Sequence, residues 1–230
     1  LKFDMTPDAA LLGRGRAWAE RVGRPIVLAA STREGEEALL LAAWSKQPMP
    51  RPLLLIVPRH PQRFDEVAAQ VTAAGFTLAR RSAWNGDVAA HASDSESAVP
   101  PESAFSADVW LGDSMHEMPL YFALAQVALL GGSFEKFGGQ NLIEAAACGC
   151  PIVIGPHTYN FAEAAELSLA AGAAVRVAGF DEGVAVACAM VAPGGEDKHA
   201  WRQAQALAFA DRHRGAARRM ATRIAGLMTR

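Results

Sequence analysis

Short hydrophobic runs alternate along the chain with longer segments in which apolar residues recur at helical spacing. This alternation is typical of βαβ units that build a parallel sheet, and runs that are apolar throughout indicate strands covered on both faces. We therefore expect a doubly wound, mostly parallel, Rossmann-like α/β sheet of about six strands with helices on both faces. The predicted strand segments are Pro25–Ala30, Pro52–Val57, Phe76–Arg80, Asp108–Leu111, Val127–Leu130, Pro151–Ile154 and Ala174–Val177.

The segments between these runs predict helices. The first begins near Thr6 or Asp8, since either residue suits an N-cap, and extends to about Val22. A helical tail is expected from Phe180 onward. Gly86–Ser106, rich in Ser, Ala, Asp and Glu, predicts a solvated loop rather than a functional lid. The other predicted helices are Arg33–Trp44, Arg63–Ala74, Met118–Ala125, Asn141–Cys148 and Phe161–Ala171.

Composition narrows the classes of function. The 22 Lys and Arg and the 24 Asp and Glu give a formal net charge of −2, which argues against a nucleic-acid-binding protein with its basic stripe. No apolar run reaches the ~18 residues of a membrane helix. Cys148 and Cys150 lack further metal ligands nearby and are interpreted as small buried residues, so we expect neither a metal nor a cofactor. Because the chain begins at Leu1 instead of Met, we expect a fragment of a longer protein, with residues 1–230 forming one domain.

A glycine-rich loop, Gly131–Gln140, follows a predicted strand and precedes a predicted helix. Gly138 and Gly139 would let the backbone approach an anion, and the helix start favours a phosphate. Asn141 would cap the helix or reach that phosphate. Glu144, expected at an exposed helix start, would accept hydrogen bonds from two ribose hydroxyls. The alternative is a capping box of Asn141 and Glu144 without a ligand.

Basic and hydroxyl side chains follow the first two predicted strands. Arg59 and His60 come directly after the second strand, where a guanidinium suits a phosphate or carboxylate. Ser31 and Thr32 end the first strand and would offer hydroxyls and amides to an anion, or would cap the next helix. Because ligands of open α/β sheets bind at the carboxyl ends of the strands, these residues are candidates for a donor site.

Several motifs resemble the 3-deoxy-D-manno-octulosonic acid (Kdo) transferases of lipid A biosynthesis. The resemblance covers roughly residues 1–171. Arg33 stands where this family suggests His, and His116 stands where it suggests Gly. The motifs, in family order, are LKFD (1–4), ASTREGEE (30–37), IVPRHPQRF (56–64), RRS (80–82), LGDSMHEM (111–118), the G-G-S-x₅-G-G-x-N-x-x-E pattern (131–144), GCP (149–151) and GPHTYNF (155–161).

The resemblance implies the C-terminal, donor-binding half of a two-domain GT-B glycosyltransferase. Its donor would be CMP-Kdo and its acceptor a lipid A precursor, with inversion at the anomeric carbon and no required metal. The catalytic base would lie in the N-terminal domain, so we assign no catalytic residue here and expect the chain alone to be inactive. The enzyme would work at the cytoplasmic face of the bacterial inner membrane and associate with it through the other half. The donor-binding candidates are Ser31, Thr32, Arg59, His60, Met115, Glu117, Ser133, Gly138, Gly139, Asn141 and Glu144.

Two other classes stay open. A GT-B glycosyltransferase that uses a UDP-sugar, or a UDP-sugar 2-epimerase, would share the glycine loop and a ribose-binding Glu144. A noncatalytic nucleotide-binding module is the second alternative. Preference for CMP over UMP would separate the first alternative from a Kdo transferase.

Overall fold

The computed structural model describes residues 6–84 and 99–213, and over these ranges it contains a single seven-stranded sheet. All the strand pairs are parallel, which confirms the predicted doubly wound α/β class. The expected count of about six is one too low, because each of the seven predicted segments contributes a paired strand. The strands are β1 Ile26–Thr32, β2 Leu53–Pro58, β3 Leu78–Arg80, β4 Val109–Leu111, β5 Val127–Leu130, β6 Ile152–Ile154 and β7 Ala174–Arg176.

The helices follow the predicted pattern, with shifts at their ends. Gly35 adopts a φ of 87° and delays the start of the second helix from the predicted Arg33 to Glu36. The predicted loop Gly86–Ser106 ends in a one-turn helix, while residues 85–98 lie outside the described ranges. The helices within those ranges are α1 Ala9–Val22, α2 Glu36–Ser45, α3 Phe64–Ala73, α4 Glu102–Phe105, α5 Met118–Leu124, α6 Leu142–Ala147, α7 Ala162–Ala170, α8 Phe180–Val191 and α9 Glu196–His213.

The strands divide the core into two layers because successive side chains of a strand point to opposite faces. In β1, Ile26 and Leu28 pack into one layer with residues of α1, α5, α6, α7 and α9. Val27 and Ala29 pack into the other with residues of α2, α3 and α8. Cys148 and Cys150 are buried, as predicted. Both faces of the central strands are thus covered, which is why these strands are apolar throughout.

Helix α1 is fixed at its start and along its side. The Asp8 carboxylate accepts hydrogen bonds from the amides of Ala10 and Leu11, so Asp8 rather than Thr6 is the N-cap. On its side, α1 packs so closely on α5 that a Cβ at Gly15 would lie 2.4 Å from the carbonyl oxygen of Leu120. Gly15 therefore has a packing role.

The strand order β3-β4-β2-β1-β5-β6-β7 places the topological switch point between β1 and β5. From β1 the chain first builds one side of the sheet, and it then returns to build the other side from β5. A crevice at the carboxyl ends of these two strands is the usual ligand site of such sheets. Among residues 6–84 and 99–213, no helix is both long and apolar enough to cross a bilayer.

Candidate functional site

Strand β1 ends in a bulge at the switch point. The register with β2 shifts between Ala30 and Thr32, and Ser31 adopts a φ of 56°. The bulge packs closely against Gly131: a Cβ at this position would lie 2.6 Å from the Ser31 carbonyl oxygen. Within the described ranges the Ser31 hydroxyl has no hydrogen-bond partner. Bulges re-aim side chains, and this one leaves a predicted site residue with an unused hydroxyl at the sheet edge.

The glycine loop already holds an anion, the carboxylate of Glu36. This side chain is fully buried, with 0% of its surface exposed. It accepts hydrogen bonds from the amides of Arg33 at 2.9 Å, Gly132 at 2.7 Å, Phe134 at 3.2 Å and Glu135 at 3.3 Å. Burial raises the pKa of Glu36, and the amides of the loop oppose this shift. The amides early in the loop, before the predicted anion site at Gly138, Gly139 and the helix start, therefore bind a protein carboxylate, which ties the loop after β5 to the start of α2.

Thr32 is committed to the interior, which contradicts its predicted contact with the donor. It is 1% exposed, and its hydroxyl donates to the Glu37 carboxylate at 2.7 Å. Glu37 forms a paired ion contact with Arg63, at 2.8 and 3.0 Å, and Arg63 also pairs with Glu66. The predicted capping role of Thr32 is also wrong, since Gly35 occupies the N-cap position of α2. Thr32 instead anchors the end of β1 to a buried ion pair.

Ser133 is likewise a positioning residue rather than a contact for the donor. Its side chain is 0% exposed, its hydroxyl donates to the carbonyl of Leu130, and the amide of Gly155 donates to it at 2.8 Å. The backbones pass so closely here that a Cβ at Gly155 would lie 2.3 Å from the Ser133 carbonyl oxygen. This contact joins the loops that follow β5 and β6.

The two loop glycines are required by the protein's own structure, Gly138 by close packing and Gly139 by its backbone conformation, with a φ of 83°. Gly138 has a φ of 86°, and a Cβ there would lie 2.3 Å from the Asn160 side-chain nitrogen and 2.5 Å from the Tyr159 ring. The Gly139 amide donates to the carbonyl of Gly132 at 2.6 Å. The close approach that we predicted for an anion is therefore made at Gly138 by the GPHTYNF turn, and the Gly139 amide is already used.

Glu144, in the first turn of α6, interacts electrostatically with Arg59. Asn141 caps this helix through a hydrogen bond from the amide of Ile143 at 3.2 Å, as the capping interpretation expected. Glu144 is half-buried rather than exposed. Burial raises the pKa of Glu144, and the positive charge of Arg59 opposes the shift. The two side chains therefore lie close enough to interact electrostatically, although one follows β2 and the other β5.

Arg59 keeps its side chain available. It is exposed, while its backbone amide is fixed by a 3.0 Å hydrogen bond to the carbonyl of Thr32. His60 is half-buried, and its carbonyl accepts a hydrogen bond from the amide of Arg63 at 3.0 Å. Over residues 6–84 and 99–213, the Arg59 guanidinium makes no ion pair. It is thus free to contact an anion.

A cleft of about 690 Å³ opens beside the loop that follows β4. Met115 and Glu117 both line it, and their predicted contact with the donor stays a prediction. Met115 is 51% exposed. The Glu117 carboxylate, however, is bound by Arg81 at 2.8 Å and by the hydroxyls of Ser114 and Tyr121, so it shapes the wall of the cleft.

Sequence reasoning missed the buried charges that hold these loops. Arg81 contacts the adjacent rings of Trp18 and Trp84, with its guanidinium carbon 5.5 and 5.6 Å from the two ring centroids. Asp113 accepts hydrogen bonds from Arg80 at 2.7 Å and from the Ser82 amide at 2.8 Å. The motifs at 30–37, 80–82 and 111–118 contained these residues, but nothing in their spacing showed which charges are buried.

His116 adopts a backbone conformation that favours glycine. Its φ is 64°, and its side chain is exposed. The left-handed region costs a non-glycine residue about 1–2 kcal/mol, and the resemblance indeed suggests Gly at this position. His116 thus has a backbone conformation that a glycine would adopt at lower cost.

His116→Gly is therefore expected to raise the free energy of unfolding by about 0.5–1 kcal/mol, the strain relieved less the entropy gained by the unfolded chain. Urea unfolding followed by circular dichroism measures it. His116→Ala is the matched control, because it removes the imidazole and keeps the strain. Equal stability of the two variants would contradict a backbone origin.

The sequence of the chain is similar to those of known proteins. The chain is 50% identical over 181 residues to the 3-deoxy-D-manno-octulosonic acid transferase of Bordetella pertussis, covering 76% of this chain and 39% of that protein. It is 35% identical over 169 residues to the same-named protein of Haemophilus influenzae, covering 71% of this chain and 35% of the relative. The chain thus spans less than half the length of these relatives. Comparison with models of protein families gives no match.

A solved structure resembles the whole fold. It is the C-terminal CMP-Kdo binding domain of WaaA from Acinetobacter baumannii, with a TM-score of 0.72 and 26% sequence identity. The likeness covers 88% of this chain and 98% of that domain. Sequence and fold thus agree on one group of relatives.

Proposed function

We propose that this chain, which belongs to the 3-deoxy-D-manno-octulosonic acid transferase family, binds the CMP-Kdo donor of a Kdo glycosyltransferase. The observation that carries the proposal is the electrostatic interaction of Glu144 with Arg59 at the carboxyl edge beside the switch point. A carboxylate that accepts ribose hydroxyls and a nearby guanidinium that binds a phosphate are two contacts that suit a nucleoside monophosphate.

The proposed donor lies along the carboxyl edge of three adjacent strands, β5, β1 and β2. Glu144, after β5, takes the ribose, and Arg59, after β2, takes the phosphate together with the Ser31 hydroxyl at the end of β1. Neighbouring strands are about 4.8 Å apart, so β5 and β2 are about 10 Å apart, a distance that two long side chains can span to reach adjacent groups of one nucleotide. The cleft beside Met115, after β4, lies beyond the phosphate from the ribose, so the sugar rather than the base extends toward it. His60, Asn141 and Gly138 support the loops around the donor.

The whole enzyme would transfer Kdo from this donor to a lipid A precursor. The portion of the relatives that this chain does not span would supply the acceptor surface and the catalytic base. In this proposal the enzyme acts at the cytoplasmic face of the bacterial inner membrane, and residues 1–230 form one donor-binding domain. The buried carboxylates Glu36, Glu37 and Glu117 are all committed to protein partners, so none of them suits a base for the acceptor hydroxyl.

Glu144→Gln is expected to weaken CMP binding by about 10- to 100-fold, the effect of losing a charged hydrogen-bond acceptor. For the wild type, affinity should fall as the pH drops through the raised pKa of Glu144, because the ribose hydroxyls need the ionised carboxylate. The loss should therefore begin at a higher pH than an ordinary glutamate would give. The variant should lack this dependence. Isothermal titration calorimetry over a pH series measures both effects.

Glu163→Gln is the matched control, because Glu163 lies in the first turn of α7 as Glu144 lies in that of α6, but is exposed. It should bind CMP like the wild type. UMP should bind more weakly than CMP. Equal affinities of wild type and Glu144→Gln, with CMP clearly bound, would rule out the ribose contact.

A further inference from the structure

The side chain of Arg33 is held in place at the switch point. Its guanidinium carbon lies 4.3 Å from the centroid of the Phe137 ring, which belongs to the glycine loop. Its Nε donates to the Glu34 carboxylate at 3.1 Å, and its backbone amide donates to Glu36. A guanidinium over an aromatic face is stabilised electrostatically, so Arg33 loses little further freedom when it binds a ligand.

Two donor groups of this guanidinium remain unused. Within residues 6–84 and 99–213, the contacts of the Arg33 side chain are those with Glu34 and Phe137, and both Nη atoms lack a hydrogen-bond acceptor. The side chain is 25% exposed. The two Nη groups are therefore accessible to a ligand from the carboxyl edge of β1.

Arg33 and Arg59 occupy different places along the edge. Arg59 follows β2, and its charge acts on Glu144. Arg33 follows β1, and a Cβ built on Gly132 of the loop after β5 would lie 3.6 Å from its Cγ. If Glu144 binds the ribose, the phosphate attached to that ribose belongs beside Arg59. Arg33 lies one strand from Arg59, between it and β5, so it borders the phosphate, and the carboxylate of the sugar acid is the anionic group of the donor that Arg59 leaves unpaired.

We propose that Arg33 determines specificity for the sugar acid of the donor by binding its carboxylate through the two unpaired Nη groups. The inference rests on the proposed function, and it adds the recognition of the transferred group. The planar fork of a guanidinium matches the two oxygens of a carboxylate. A nucleotide sugar without the carboxylate would leave the two Nη groups without an acceptor.

The test compares three probes by calorimetry on the full chain: CMP, a hydrolysis-resistant CMP-Kdo phosphonate analogue, and the same analogue with its carboxylate converted to a carboxamide. The wild type should bind the acid analogue about 10- to 100-fold more tightly than the amide. Arg33→Gln should abolish that preference and leave affinity for CMP and for the amide within about twofold. Arg33→Lys, which keeps the charge and loses the fork, should retain part of the preference.

Two neighbouring variants sharpen the test. Arg59→Ala should weaken all three probes alike, because it removes a contact to the shared phosphate. Glu34→Gln removes a competing charge and frees Nε, so it should bind the acid analogue as tightly as the wild type or more tightly. Thermal unfolding of each variant shows that the fold is intact, and Arg33 is exposed enough for this to be expected.

The binding data distinguish failure of the Arg33 proposal from failure of the proposed function. Equal losses of all three probes in Arg33→Gln would place Arg33 on the phosphate and overturn the proposal. Unchanged affinities of Arg33→Gln for all three probes would show that Arg33 only packs on Phe137, and they would also overturn the proposal. A wild type that binds neither CMP nor the analogues would contradict the proposed function itself, before any role of Arg33 arises.

Discussion

Replacing Glu36 with Gln should lower the free energy of unfolding by about 3–5 kcal/mol. The wild-type carboxylate accepts four amide hydrogen bonds, two on each oxygen. The Gln amide group would turn an NH₂ toward two of those N–H groups and leave them without acceptors. A buried unsatisfied donor costs about 1–3 kcal/mol. Because a whole domain has only about 5–15 kcal/mol of stability, the loss should be large.

Urea unfolding measures this change, and amide hydrogen exchange locates it. Protection should fall first at Gly132, Phe134 and Glu135. Glu34→Gln is the matched control, since Glu34 lies two residues away and its side chain is 50% exposed. It should change stability by less than about 0.5 kcal/mol. Similar losses in the two variants would show that the Glu36 carboxylate has no special role in the loop.

Glu37→Gln should destabilise the protein by about 3 kcal/mol. The Glu37 side chain is 0% exposed, and it neutralises Arg63, which is 6% exposed in its side chain. Breaking a buried ion pair from one side leaves the remaining charge desolvated, at a cost of about 3–5 kcal/mol. The Gln oxygen and Glu66 would offset part of this. Thr32 would also lose the carboxylate to which its hydroxyl donates.

Glu66→Gln provides the comparison, because Glu66 binds the same guanidinium but its side chain is 55% exposed. Solvent-exposed pairs contribute about 0–1 kcal/mol, so this variant should stay close to the wild type. Stability measured by urea unfolding should thus separate two carboxylates that share one arginine. If Glu66→Gln lowered the free energy of unfolding more than Glu37→Gln, burial would not explain the stability that the Glu37–Arg63 pair contributes.

Much of the fold could be predicted from the order of apolar runs. The seven runs became seven strands because each is long enough to pair, and the central ones are apolar enough to be buried on both faces, whereas the edge strands β3 and β7 are only partly buried. Local signals also fixed several ends, such as the Asp8 cap of α1 and the Asn141 cap of α6. The start of α2 was misplaced because the turn through Gly35 depends on how Glu36 is held by a loop far along the chain.

The candidate site was predicted less completely. Sequence position suggested Ser31, Arg59 and Glu144, and the family resemblance suggested Met115; the structure gives all four accessible or half-buried side chains, at strand ends or in the loops and helix starts that follow them. Thr32, Ser133 and Glu117 lie beside them but are committed to protein partners. A one-dimensional motif could not separate these groups, because a hydroxyl or carboxylate at a strand end faces either the crevice or the core.

The sequence by itself determined the sheet, its helices and the edge at which a ligand would lie, because hydrophobic periodicity and strand ends are local properties. Only the tertiary structure decided which charges serve the protein and which remain for a ligand. Glu36 is bound by amides nearly one hundred residues away along the chain, at separations of 96 to 99. Arg33 is held over an aromatic ring because the loop after β5 brings Phe137 beneath it, while its two Nη groups have no acceptor among the described residues. Burial and long-range hydrogen bonds depend on the folded neighbours of a side chain, which the order of residues does not display.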